Sequence, residues 1–545
     1  MRQLLSILVL CLLGLSAPLT AQEGAPPSAA AAAPQEPSAE EQGWEEWIDA
    51  KFKVALDEFN SYPFYNILKW FGDEEEPLAD ETGAPVAGPT GGDVVIKLPF
   101  VVVWLIIGAV FFTVRMRFVN LRMFKHAIAC VSGRFSDPND SGEVTHFQAL
   151  SSALSATVGL GNIAGVAIAV SLGGPGATFW MIIAGFLGMT LKFTECTLGQ
   201  MYRTIDEDGR VSGGPMHYLK HSTPVLGSFL AVVFTVFCIG GSLAGGNAFQ
   251  VFQSKAVLGQ NIPIFAEHGW VYGVIMAALV GVVIIGGIRR IAVTASRIVP
   301  LMCSIYVICS IAILVYKIDA VPAAFGAIFS NAFSGEAMYG GAIGAIIMGF
   351  KRAAFSNEAG VGSASIAHSA AKTPYPVREG IVALLEPFID TIVVCTMTAL
   401  VIVVTGVYQP TAGHIDLIAA NEGATLTMKA WDTVPFLQGW ATWLLLSAVV
   451  LFAFSTMISW SYYGERCWTL LFGKRSSIVY KILFLTFVVL GSIMSGTSAL
   501  EFGDSMILCM ALPNILGLYF LGGKVKAELA EYERKLASGE IRPHS

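Results

Sequence analysis

From residue 95 to residue 521 the chain alternates long apolar runs with short polar breaks. The runs fall near 95–114, 148–173, 176–201, 224–254, 270–288, 291–316, 337–370, 380–407, 437–462, 477–496 and 501–521. Each has the length and apolarity of a helix that crosses a bilayer core. The pattern predicts an all-α integral membrane protein with eleven transmembrane helices. Arg115, Arg117, Arg122 and Lys125 follow the first run and put its end in the cytoplasm, where short loops carry an excess of Lys and Arg. Counting alternately from there, "GGIRR" at 286–290 and "GGKVK" at 522–526 fall on the same side. The N-terminus is expected outside the cytoplasm and the C-terminus inside.

Two of the runs are interrupted. "ATVGLGNIAGVA", residues 156–167, brings Gly159, Gly161, Gly165 and the amide of Asn162 to membrane depth. "MGFKRAAFSNEAGVGSASIAHSAAK", residues 348–372, does the same with Lys351, Arg352, Asn357, Glu358, Gly360 and Gly362. Unsatisfied backbone groups cost several kcal/mol each in lipid, so such breaks persist only when buried in protein or lining a cavity. A plain loop is the other reading of 348–372, but "YGGAIGAIIMGF" before it is too short to span alone. Each interrupted run opens a set of five, 147–318 and then 319–523, with opposite orientation. That is the signature of inverted-repeat secondary transporters, whose broken helices hold a substrate carboxylate at half-helix N-termini and a cation on freed carbonyls.

Composition narrows the class. The chain is 545 residues, 54% hydrophobic and 13% charged, about half the charged share of a soluble protein. A net charge of −7 without a basic cluster argues against nucleic acid. Residues 1–21, with Arg2 and a short apolar run, read as a signal peptide, the alternative being a short anchor. Residues 22–93 form an extracytoplasmic stretch of two low-complexity linkers around an amphipathic segment (Trp44, Trp47, Ile48, Phe52, Leu56, Phe59). The first transmembrane helix and a cytoplasmic loop occupy 94–146, and 524–545 is a cytoplasmic tail. The nine cysteines show no metal spacing or disulfide framework, and the eight histidines form no cluster along the sequence.

"ALSATVGLGNIAGVAIAVSLGGPGATFW", "SGGPMHYL", "FSNEAGVGSA" and "FIDTIVVCT" together resemble the alanine/glycine:cation symporter family, over residues 95 to 525. "VGLGN" is similar to the unwound first helix of the wider LeuT-type fold. The resemblance implies a LeuT-type core of five plus five helices with one peripheral helix, and sodium-coupled symport of small neutral amino acids, alanine and glycine, by alternating access. It implies no cofactor, with sodium as a co-transported ligand, and a multi-pass protein of the bacterial inner membrane. The partners are then the amino acid, the ion and the lipid bilayer.

The resemblance also assigns residues. Thr157, Gly161, Gln250, Phe355, Ser356 and Asn357 are expected at the substrate, with Phe355 walling the pocket. The hydroxyls of Ser455 and Thr456 and the carbonyls near Ser155 and Val158 are expected around sodium, although helical serines commonly bond their own preceding turn. Asn162, Glu195 and Glu358 are expected to support or gate the breaks, Glu195 by bracing an unwound helix with Lys192 as a neighbour. Glu358, Glu386, Asp390 and Glu465 are open to two readings, pairing with Lys351 or Arg352, or proton relay. The glycines of "GGSLAGGNAFQ" (240–250) read as helix packing. Proton coupling through a carboxylate is the alternative mechanism. An intramembrane hydrolase is disfavoured because neither HExxH nor GxSxG occurs. Two occluded breaks fit a channel poorly.

Overall fold

In the computed structural model, residues 99–543 are described, apart from 138, 335–340, 410–411, 436–439 and 495. The expected signal peptide, linkers and amphipathic segment of residues 1–93 lie outside the described residues. The principal helices, in chain order, are α1 (Phe100–Arg115), α2 (His146–Thr157), α3 (Val166–Gly173), α4 (Gly176–Met201), α5 (Leu226–Leu243), α6 (Phe249–Gly259), α7 (Gly269–Ile284) and α8 (Gly287–Tyr316). There follow α9 (Val321–Asn331), α10 (Gly341–Asn357), α11 (Ala364–His368), α12 (Pro376–Ala383), α13 (Thr396–Thr405), α14 (Gly423–Asp432), α15 (Trp440–Phe472), α16 (Ser477–Gly491) and α17 (Gly496–Ala537).

Among the described residues, six helices are long and apolar enough to cross a membrane, and α2 with α3 forms a further span bent by 52°. α1 and α7 are apolar but shorter. The most apolar window of α8 is only 33% buried, whereas that of α4 is 67% buried. α8 turns Leu301, Ile308, Ile311 and Val315 outward, as a helix facing lipid does. α4 runs through the interior, packed along α10 and α12, and carries Lys192 and Glu195 fully buried. On the other side α5 packs on α15 and α17, and α8 on α2 and α15.

Local chemistry sets the helix ends. α2 starts on a capping box, in which Thr145 Oγ1 accepts from Gln148 N–H and Gln148 Oε1 from Thr145 N–H. It ends at Val158, whose ψ of 79° leaves the helical region, just where Gly159 lowers helix propensity. The chain resumes as a π-turn, Gly161–Gly165. Two further π-turns occur where the sequence predicts unbroken spans: Ala244–Ala248 between α5 and α6, and Phe388–Cys395 before α13. π-turns are uncommon and gather at functional sites. The second break is of another kind. After Asn357 the chain passes through Glu358 (φ 55°), Gly360 (φ 88°) and Gly362 (φ 95°) before α11 begins.

Candidate functional site

The three π-turns and the second break meet in the interior. Gln250, just past the turn in α5–α6, joins that turn to the first break: Leu160 N–H donates to its Oε1 at 3.0 Å, and its Nε2 donates to Gly245 O at 2.8 Å. Asn162 closes the break from within, its Oδ1 accepting from Gly159 N–H at 2.9 Å. Asn162 Nδ2 then donates to Asp390 Oδ1 at 2.6 Å. The other Asp390 oxygen accepts from Ser356 Oγ at 2.8 Å and from Thr391 Oγ1 at 2.7 Å. One carboxylate therefore ties both breaks together, and all these groups are buried.

The expected substrate residues converge in part. Phe355 lies against Gly161, with its ring 3.3 Å from where a Cβ would stand, and against Gly245 at 3.2 Å. It meets Phe249 edge-on at 5.5 Å and carries the Arg352 guanidinium over its face at 5.2 Å. Ser356 faces Asp390. Asn357 is turned into its own break, donating to Thr391 Oγ1 at 2.8 Å and accepting Ala359 N–H at 2.9 Å. Thr157 Oγ1 bonds its own helix at Ala153 O, 3.2 Å away. The Thr157 and Asn357 side chains are thus taken up by local backbone and a neighbouring threonine.

At the facing wall, Ser155 Oγ donates to Ser455 O at 2.7 Å and joins α2 to α15. The Ser455 hydroxyl donates to Phe452 O at 3.0 Å, one turn back on its own helix, the ordinary behaviour of a helical serine. Thr456 differs. Its Oγ1 is buried, has no hydrogen-bond partner among the described residues and points at Gly159, where a Cβ would collide with it. The Val158 backbone lies at the same break. About 9 Å further along α15, taking 1.5 Å per residue, Tyr462 begins the lining of a polar cavity of about 830 Å³ that includes Glu143, Arg289, Glu465 and Arg466.

The carboxylates have other partners than the sequence suggests. Lys351 (2.8 Å) and Arg352 both pair with Asp504 on α17, a residue that no motif singles out. Glu465 pairs with Lys481 at 3.3 Å. Glu386 pairs with Lys192 at 3.0 Å, and Lys192 also lies near Glu195. Glu195 Oε1 accepts from Asn514 Nδ2 at 2.8 Å, and the same amide donates to Gly360 O at 2.9 Å. Glu195 therefore reaches the second break through Asn514. Glu358 accepts from Ser363 Oγ across the turn. Two of the histidines do meet in space: His146 and His368 both hydrogen-bond Glu379. Positions 222 residues apart in the chain carry no periodicity that would announce this.

Comparison with known proteins places this arrangement. The model of the sodium:alanine symporter family matches residues 90–545. The sodium/alanine symporter AgcS of Methanococcus maripaludis is 39% identical over 79% of this chain and 93% of its own. A putative sodium/proton-dependent alanine carrier protein of Bacillus subtilis is 33% identical over 80% of this chain and 90% of its own. A probable sodium/glutamine symporter of the same organism is 32% identical over 81% and 89%. These relatives are transporters and not enzymes. With a family match across most of its length and several apolar helices around two broken ones, the chain is a multi-pass membrane protein that belongs to the sodium:alanine symporter family.

Proposed function

We propose that this protein takes up small neutral amino acids, alanine and glycine, by sodium-coupled symport and alternating access. The carrying observation is the Thr456 hydroxyl, buried without a partner among the described residues and aimed at the first break. A buried hydroxyl left unbonded costs free energy, and a sodium ion at this place removes the cost. Thr456 Oγ1, the Ser455 hydroxyl after a rotamer change, and carbonyls near Ser155 and Val158 form the ion's shell. These ligands are neutral and join the first broken helix to α15. The amino acid lies beside the ion, between the breaks. Gly161 gives it room, Phe355 limits its side chain, and Gln250, Thr157, Ser356 and Asn357 orient its polar ends, the latter two in exchange for their present bonds. Asn162, Glu195 and Glu358 hold the breaks in shape.

Eleven spans in a five-plus-five LeuT-type arrangement, with one peripheral helix, carry the site in the bacterial inner membrane with the C-terminus in the cytoplasm. On this reading Arg352–Asp504 closes the outer side, and the cavity beyond Tyr462 belongs to the cytoplasmic path. Proton coupling is the second reading. Its support is Asp390, a buried carboxylate whose hydrogen-bond donors are Asn162, Ser356 and Thr391, all neutral. Purified protein in vesicles should concentrate labelled alanine under an inward sodium gradient with no proton gradient. Uptake indifferent to sodium but abolished by collapse of a proton gradient overturns the sodium reading in favour of the second.

A further inference from the structure

The backbones that flank the two breaks are stitched together at one end of the bundle. Glu143 N–H donates to Ala370 O at 2.8 Å and Lys372 N–H to Val144 O at 2.8 Å, a short parallel bridge. Beside it lie five buried ionisable side chains: His146 in the first turn of α2, Lys192 on α4, His368 at the end of α11, Glu379 on α12 and Glu386 just beyond it. Glu379 is shared, its Oε2 by His146 Nδ1 and its Oε1 by His368 Nδ1 at 2.6 Å. Glu386 Oε1 accepts from Lys192 Nζ at 3.0 Å, and its Oε2 faces His368 Nε2 at 3.6 Å.

These contacts decide the protonation of His368. An ionised carboxylate only accepts hydrogen bonds, and so does a ring nitrogen without hydrogen. His368 has a carboxylate at each nitrogen, hydrogen-bonded at Nδ1 and 3.6 Å away at Nε2, an arrangement that favours hydrogen on both. Were Nε2 bare, it would set a lone pair against Glu386 Oε2, and among the described residues neither atom has a hydrogen-bond partner. The charge count agrees. Glu379 and Glu386 bring two negative charges, Lys192 and an imidazolium two positive, and a buried cluster left with net charge is costly. Among the described residues His146 meets a carboxylate only at Nδ1, on Glu379.

We propose that His368 is a proton-binding site, a buried imidazolium that joins α11 to α2 through Glu379 and to α4 through Glu386. It thereby holds the halves of both broken helices on one side of the bundle as a single body. The proton is bound apart from the transported ion, and the inference does not rest on which ion drives uptake. Other titratable groups surround the cluster without separating these pairs. Glu386 acts electrostatically on Glu195, Cys196, Glu358, Asp390 and Tyr463, and Glu379 on Cys130, Cys196 and Arg203. Arg378, next to Glu379 in sequence, donates to Phe135 O at 2.5 Å. A proton held by the intact bundle and released when the bundle opens stabilises the clamp at lower pH, and its loss weakens the clamp as pH rises.

The test is carbon-13 NMR of the purified full-length protein with its histidine rings labelled at Cε1. The His368 resonance is assigned by its disappearance in His368→Gln. Should that variant fail to insert, His368→Gln/Glu386→Gln serves, because it keeps the charge count at zero. At about pH 8, where an unperturbed histidine of pKa about 6.5 is neutral, the His368 signal should still show the imidazolium shift. Alanine uptake by the wild type, under whichever ion gradient drives it, should fall at the pH where that signal moves, and the double variant should lack the fall. A His368 signal already at the neutral position at about pH 7, or an alkaline fall unchanged in the double variant, overturns the proposal.

Discussion

The two broken helices differ in where their polar groups go. At the first break the exposed backbone is held by Gln250 from a distant element and by Asn162 from within the break, and among the described residues the neighbouring Thr456 hydroxyl has no hydrogen-bond partner. At the second, left-handed residues turn the chain, and the turn is closed locally by Asn357 on Ala359 N–H and by Ser363 on Glu358. Asn514 and Glu195 add a brace from behind. The first break therefore keeps bonding capacity in reserve, and the second has used most of its own. A ligand gains most where a buried group lacks a partner, so the first break suits ion binding and the second suits a rigid wall.

The comparison breaks most sharply at Asp390, the carboxylate common to both. Asp390→Ala strips partners from Asn162 and Ser356, and buried polar groups left unpaired cost about 1–3 kcal/mol each. Alanine affinity should fall roughly tenfold to a hundredfold in binding assays on the purified protein. An unchanged affinity would show that the breaks are held independently.

Thr456→Ala tests the reserve at the first break alone. It should raise the sodium concentration needed for half-maximal alanine binding by about tenfold, the equivalent of about 1.4 kcal/mol. Because coupling is reciprocal, the alanine defect should ease at high sodium. A sodium titration that overlays the wild type would move the ion site elsewhere.

At the second break the expected effect is on stability. Gly362→Ala puts a Cβ on a residue at φ 95°, 2.9 Å from Asn514 and 2.7 Å from Pro215. A left-handed conformation alone costs a non-glycine residue roughly 1–2 kcal/mol, so the melting temperature should drop while the sodium dependence of whatever protein folds stays as in the wild type. The smallest effect is one of selectivity. Phe355→Ala should admit larger neutral amino acids by a graded margin, since one methylene is worth about 1–3 kcal/mol in such pockets. Competition of labelled alanine uptake by leucine and phenylalanine reads it, and unchanged competition would remove Phe355 from the pocket wall.

Both breaks were legible because glycine and amides at membrane depth are costly and therefore conspicuous. The π-turn at Ala244–Ala248 was not, since one extra residue in a helical turn leaves composition and hydropathy unchanged. Its glycines do pack, Gly246 on Trp460 and Gly245 on Phe355 and Ile507, and packing was all that "AGGNA" announced. Asp390 stood among four carboxylates of equal standing until the fold brought it to Asn162, 228 positions away.

By itself, then, the sequence determined the class of the protein, the positions of its breaks and the family to which it belongs. Those properties follow from local chemistry: apolar length, glycine content and short motifs. Which charge meets which was decided by tertiary structure alone. Lys192 pairs with Glu386, Arg352 with Asp504, and two histidines share Glu379. Each pairing joins helices that the chain visits far apart. A buried charge takes whichever opposite charge the packing brings within about 4 Å, and nothing in the order of residues sets that distance.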